Sequence, residues 1–129
     1  MKLEHHLESF KEYKETIFDW ALKIKGLKNS QRIICTHASR AIVDLLATYL
    51  LKRSLIDPGL QINHRWFKSK KVNDKLPNFD NKEKIISEMI KLELLCEELT
   101  YGTPKSEQKI QEALVLFKKL ELRLKNGTK

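Results

Sequence analysis

Glycine and proline are scarce in this sequence of 129 residues, which has four glycines and three prolines. The glycines are isolated from one another, so the sequence has no glycine-rich loop of the kind that cradles phosphates. It also lacks an H-E-x-x-H motif and the paired Glu-x-x-His motifs of di-iron bundles. The four histidines do not share a metal-ligand spacing. We therefore expect neither a metal nor a cofactor.

Cysteine and long apolar runs are also rare. Cys35 and Cys96 lie far apart without a C-x-x-C pairing. Both fall among leucines and isoleucines of predicted helices, so we interpret them as reduced thiols that pack as small hydrophobic residues. No apolar run approaches the roughly 20 residues that cross a bilayer, and the first residues lack the apolar stretch of a signal peptide. The sequence predicts a cytoplasmic protein without membrane contact.

Positive charge is abundant, since the formal net charge is +8 and one third of the residues are charged. This balance favours an anionic partner such as nucleic acid, a nucleotide or an acidic protein. The alternative is a solvated Lys/Glu surface that only keeps the protein soluble. A hydrophobic fraction of 41% suffices for the core of one domain over residues 1–129.

Four amphipathic segments predict four main helices. The first spans about residues 2–27, and its apolar residues occupy heptad a and d positions: Leu3, His6, Phe10, Tyr13, Ile17, Trp20, Ile24 and Leu27. His6 is the exception in this series, and we expect it to pack near the end of the bundle. The second helix extends from a cap at Asn29 or Ser30 to about Arg53, and it is apolar over most of its circumference.

Two further helices follow a long connection. A D-x-x-E capping box at Asp80 and Glu83 predicts the start of the third helix, which should end near Thr100 before Tyr101-Gly102. Thr103-Pro104 is typical of a helix start, and Gly127 should end the fourth helix. We expect an all-α fold, a four-helix up-and-down bundle with a long basic connection between helices 2 and 3.

The second helix carries a narrow polar arc on its otherwise apolar surface. At about 100° per residue, His37, Arg40, Asp44 and Thr48 fall within about 80°. One interpretation is an exposed stripe in which Arg40 and Asp44 form an i,i+4 ion pair. The other is an inward groove in which Arg40 binds a phosphate and His37 titrates near neutral pH.

The connection over about residues 57–79 mixes cations with aromatic residues. Against Asp74 stand a histidine and five cations, namely His64, Arg65, Lys68, Lys70, Lys71 and Lys75, and the adjacent aromatic pair is Trp66-Phe67. Cations interleaved with aromatic rings can neutralise phosphates and stack on bases. Alternatively, the rings close the end of the bundle while the lysines are solvated. At least one ring should be buried, and a connection this long should contain a short helix or serve a function.

The segment His37-Ala38-Ser39-Arg40-Ala41 in the second helix, followed by Asn63-His64-Arg65, resembles one branch of the HEPN superfamily of small helical-bundle domains. The resemblance covers about residues 30–70, and the four-helix layout extends it over most of the chain. It implies a homodimer whose basic cleft binds nucleotide or RNA, often with a nucleotidyltransferase partner in toxin–antitoxin or defence systems. Nuclease members use an R-x4–6-H motif. Its match here, Arg32 and His37, lies in the second helix, where residues five apart point about 140° away from each other.

Three hypotheses follow from these patterns. The first is a HEPN-like module that binds nucleotide, RNA or a nucleotidyltransferase, through a set consisting of Arg40, His64, Arg65, Trp66, Lys68, Lys70 and Lys71. The second is a metal-independent ribonuclease whose catalytic residues come from His37, Arg40 and His64, with Arg65 able to take the role of Arg40. The third is a helical protein-interaction subunit without a nucleic-acid role.

Overall fold

The computed structural model describes residues 2–101 and 107–126 of the chain. Most of these residues are helical, and the others form turns and extended connections. None of the described residues belongs to a strand. The all-α prediction is therefore confirmed. The elements are α1 (Leu3–Glu15), which continues directly into a π-helix (Thr16–Lys25), α2 (Gln31–Lys52), a first 3-10 helix (His64–Lys68), a second 3-10 helix (Lys70–Lys75), α3 (Lys82–Tyr101) and α4 (Glu107–Asn126).

The heptad pattern of the first helix is correct only in its first half. Phe10 and Ile17 are buried, but Trp20 is 43% exposed and Ile24 is 70% exposed. Ala21 takes the inward position instead. The cause is the π-helix, whose i→i+5 hydrogen bonds widen each turn, so that positions assigned by a 3.5-residue period rotate away from the core. His6 is buried, as expected.

α2 is the central helix of the protein. It contacts α1, the π-helix, α3 and α4. The eight residues that make its sequence apolar over most of its circumference are all buried: Ile34, Ala38, Ala41, Ile42, Leu45, Leu46, Tyr49 and Leu50. By length and composition α2 could also cross a membrane, but most of it is buried inside the protein, as the core helix of a soluble protein would be.

The inward faces of α3 and α4 agree with the sequence pattern. The helical spacing of apolar residues predicts an inward set on α3, and all of its members are buried: Ile85, Ile86, Met89, Leu92, Cys96 and Leu99. On α4, the same is true of Ile110, Ala113, Phe117, Leu120 and Leu124, whereas Leu114 is half-buried and packs against the core. The rings of Phe10 and Phe18 approach Phe117 at 6.2 and 5.8 Å.

The helix starts are less regular than the sequence suggested. Ser30 precedes α2, but its hydroxyl donates to the carbonyls of Ala21 (2.8 Å) and Gly26 (2.6 Å) instead of capping α2. The capping-box prediction at Asp80 is wrong, because α3 begins only at Lys82, after Asn81 has adopted a φ of 59°. The predicted stop at Gly102 and the predicted cap at Thr103-Pro104 lie outside the described residues.

The long connection folds as two short 3-10 helices against α3. The Asn63 side chain accepts a hydrogen bond from the backbone N–H of Arg65 (2.8 Å), and Ser69 accepts one from that of Lys71 (3.3 Å). Phe67 is buried, which confirms that the segment places a ring in the core. This ring fixes the first 3-10 helix between α2 and α3.

Candidate functional site

A groove with two lobes lies where α2, α3 and the first 3-10 helix meet. Arg40, His64 and Arg65 line both lobes. The α3 lobe, about 460 Å³, is also lined by Cys35, Thr36, Ser39, Lys68, Glu93, Cys96, Glu97, Thr100 and Tyr101. The α1 lobe has the same volume of about 460 Å³ and is completed by Tyr13, Val43, Asp44, Ile62 and Asn63. Three of the predicted site residues therefore form the boundary between two cavities.

The two arginines of the groove have no acidic partner in the part of the chain that the structure describes. Arg40 donates one long hydrogen bond of 3.3 Å to the carbonyl of Thr36, and it forms no ion pair within residues 2–101 and 107–126. Arg65 lies on the exposed side of the first 3-10 helix, and its guanidinium likewise meets no carboxylate among the described residues. Each can therefore offer its fork of N–H donors to an anion.

The expected ion pair of Arg40 with Asp44 does not form, because Asp44 has another partner. His6 of α1 donates from Nδ1 to Asp44 Oδ1 at 2.7 Å. Burial raises the pKa of the Asp44 carboxyl, and the hydrogen bond and positive charge of His6 act in the opposite direction. The interpretation of the polar arc as an exposed stripe is therefore wrong about the ion pair between Arg40 and Asp44. The consequence is that Arg40 stays available.

His64 is held by a buried carboxylate. Its Nδ1 lies 2.9 Å from Glu93 Oε1 and 3.2 Å from Oε2, and since a carboxylate only accepts, Nδ1 is the donor. Its Nε2 forms no hydrogen bond in the part of the chain that the structure describes. This pairing fixes the ring and leaves Nε2 with a lone pair whenever the imidazole is neutral.

The other predicted site residues divide between the groove and its surroundings. Lys68 lines the α3 lobe and pairs with Glu97 at 3.1 Å. Trp66 packs half-buried against the core with the ammonium of Lys75 4.7 Å from its ring. Lys70 and Lys71 are exposed on the second 3-10 helix and line neither lobe.

His37 lies apart from the groove. Its Nδ1 donates to the carbonyl of Ile33 at 2.7 Å, and its ring meets that of Tyr13 edge-on at 5.4 Å. It lines neither lobe, and neither does Arg32, so the structure does not bring an R-x4-H pair to the groove. Of the two candidate histidines, only His64 lines the groove with Arg40.

Two buried cysteines line the α3 lobe. Cys35 and Cys96 are both free, as expected. A hydrogen bond with Cys35, together with burial, raises the pKa of the Cys96 thiol well above its ordinary value. A thiol held in this state is a poor nucleophile, so we assign these residues a packing role. Among the described residues, no group of three or more His, Cys, Asp or Glu side chains could hold a metal ion.

Glu93 and Tyr101 line the groove, but no feature of the sequence marks them as site residues. Glu93 reads as a polar position in the middle of α3, and nothing local distinguishes it from the exposed glutamates around it. In the sequence, Tyr101 appears only as part of a helix end. Its side chain is 80% exposed, which is unusual for an aromatic residue, but this exposure is visible only in the structure. Only the packing of α3 beside the first 3-10 helix reveals either one.

Three comparisons bear on identity, and none finds a relative. No protein-family model, no curated protein and no solved structure matches the chain.

Proposed function

We propose that this chain is a HEPN-like module that binds nucleotide or single-stranded RNA in the groove of Arg40, His64 and Arg65. The observation that carries the proposal is the pair of arginines that border one concave surface without an acidic partner among the described residues. A phosphate bound there would accept bidentate hydrogen bonds from guanidiniums that no carboxylate of the described residues occupies. The net charge of +8 would attract such a ligand from a distance.

The family resemblance extends this proposal. Ser39, Arg40 and His64, on which the resemblance rests, all line the α3 lobe, which supports a common role for them. The resemblance further implies a homodimer that works with a nucleotidyltransferase, and the sequence pattern predicts a four-helix up-and-down bundle in the cytoplasm. These points are part of the same proposal.

The proposal is tested by the salt dependence of RNA binding. We expect a labelled single-stranded RNA to bind at low salt, because cationic side chains that contact phosphates release counterions. Two to four phosphate contacts predict that the affinity falls roughly 7- to 50-fold between 50 and 200 mM salt. Fluorescence anisotropy measures this directly. Absence of binding at 50 mM salt would contradict the proposal and leave a protein-interaction role.

The hydrogen bond between His64 and Glu93 favours a second candidate function, cleavage of RNA without a metal ion. The 2′-oxygen would attack the adjacent phosphorus while its proton passes to His64 Nε2. The bond from phosphorus to the 5′-oxygen would break, that oxygen would take a proton from water, and a 2′,3′-cyclic phosphate would remain. Arg40 or Arg65 would stabilise the added negative charge.

A cleavage assay in the presence of EDTA tests this second candidate. Replacing His64→Ala should lower the rate about 10²- to 10⁴-fold, the range for loss of a general base. Glu93→Gln should lower it less and alter the pH profile, because the ring loses its charged acceptor. His5→Ala is the control, because His5 is exposed and lines neither lobe, and it should cleave at the wild-type rate. Cleavage that survives His64→Ala would eliminate the mechanism.

A further inference from the structure

The groove is divided into two lobes of equal size by its cationic residues. Each lobe has a volume of about 460 Å³, within the range of roughly 300–1,000 Å³ that small-molecule sites occupy. Arg40, His64 and Arg65 border both lobes, so an anion bound there has a cavity on either side. A mononucleotide would place its phosphate at this boundary and fill only one lobe.

Each lobe also presents an aromatic ring. Tyr101 borders the α3 lobe and is 80% exposed, so its face is open to a ligand. Tyr13 borders the α1 lobe, where its edge-on contact with His37 holds the ring. Aromatic rings are general platforms for nucleobases, because every base has a π face to stack.

The remaining polar groups suit nucleosides better than further phosphates. Thr36 and Thr100 offer hydroxyls in the α3 lobe, and Asn63 and Asp44 offer oxygens in the α1 lobe. Lys68 is already paired with Glu97, so among the described residues the α3 lobe offers no unpaired cation besides Arg40 and Arg65. The unpaired positive charge thus lies at the boundary, whereas the carboxylates of the lobes are already paired with His6, His64 and Lys68.

We propose that the groove recognises a phosphodiester flanked by two nucleosides, with the phosphate on Arg40 and Arg65 and one base in each lobe. This inference rests on the proposed function and narrows its ligand class from nucleotides in general to dinucleotides and longer strands. The base in the α3 lobe stacks on Tyr101, and the base in the α1 lobe lies against Tyr13.

Calorimetric titration of two small probes separates this arrangement from simple phosphate binding. The mononucleotide probe, adenosine 5′-monophosphate, carries nearly two negative charges. The dinucleotide probe, two adenosines joined by one 3′→5′ phosphodiester, carries one. Electrostatics alone therefore favours the mononucleotide, and the two-lobed site favours the dinucleotide. The dinucleotide probe carries a 2′-O-methyl group on its first ribose, which prevents cleavage through the cyclic phosphate.

We expect the dinucleotide to bind at least about tenfold more tightly than the mononucleotide, and Tyr101→Ala to remove about tenfold of that affinity. The matched control is Trp20→Ala, which removes an exposed aromatic ring outside the groove and should bind like the wild type. Equal or weaker binding of the dinucleotide overturns the two-lobed site but leaves phosphate binding at Arg40 intact. Failure of both probes and of single-stranded RNA at low salt overturns the proposed function as well.

Discussion

Replacing Phe67→Ala should destabilise the protein by about 3–5 kcal/mol, the usual cost of removing a fully buried phenylalanine. Phe67 is almost completely inaccessible and borders a small void together with Ile42, Val43, Met89 and Leu92. Because α2 and α3 hold these neighbours in place, they cannot collapse into the space left behind. Because the free energy of unfolding of native proteins is typically about 5–15 kcal/mol, a loss of this size is a large part of the total.

Thermal unfolding followed by circular dichroism measures the effect, and we expect the midpoint to fall by about 10–20 °C. Trp66→Ala is the matched control, because its ring is adjacent in the same 3-10 helix but only half-buried. It should cost less than half as much. Equal effects of the two substitutions would mean that Phe67 is not the anchor of this segment.

Replacing Arg40→Ala should weaken the binding of single-stranded RNA by about 10- to 100-fold, the equivalent of one or two charge-assisted hydrogen bonds. Arg40 borders both lobes, so no ligand that crosses the groove avoids it. Its side chain gives up only a weak bond to Thr36 when it turns to a phosphate. Binding should therefore depend on Arg40 more than on any surface lysine.

Arg32→Ala provides the control for this measurement. Arg32 lies on the same helix, is exposed and lines neither lobe, so its removal changes the net charge equally without touching the groove. We expect less than about a threefold change in affinity, as for a distant charge screened by salt. An equal loss in both variants would show that net charge alone drives binding.

The core could be predicted from the sequence because helix periodicity reports burial directly. The apolar series of α2, α3 and most of α4 follow one regular helix each, and they are buried as expected. The exposure of Trp20 and Ile24 could not be predicted, because no local sequence signal shows where an α-helix changes into a π-helix. Ala21 faces the core instead, and its small side chain contributes little to a hydrophobic pattern.

The site could be predicted only as a set of residue types. The basic connection and the polar arc of α2 each identified members of the groove, namely Arg40, His64 and Arg65. Which of them lack acidic partners depends on distant contacts: His6 occupies Asp44, and Glu97 occupies Lys68. Such pairings join residues 29 or 38 positions apart, so spacing along the chain cannot reveal them.

The central claim is that Arg40 and Arg65 together form one phosphate site. Its most direct test is the slope of log affinity against log salt concentration for single-stranded RNA, measured for the wild type, Arg32→Ala and the double variant Arg40→Ala/Arg65→Ala. We predict that the double variant makes the slope shallower by about 0.7, the contribution of one phosphate contact to a single strand, while Arg32→Ala keeps the wild-type slope. Identical slopes in all three proteins, or a change of about 1.4 as expected for two separate phosphates, would contradict the claim.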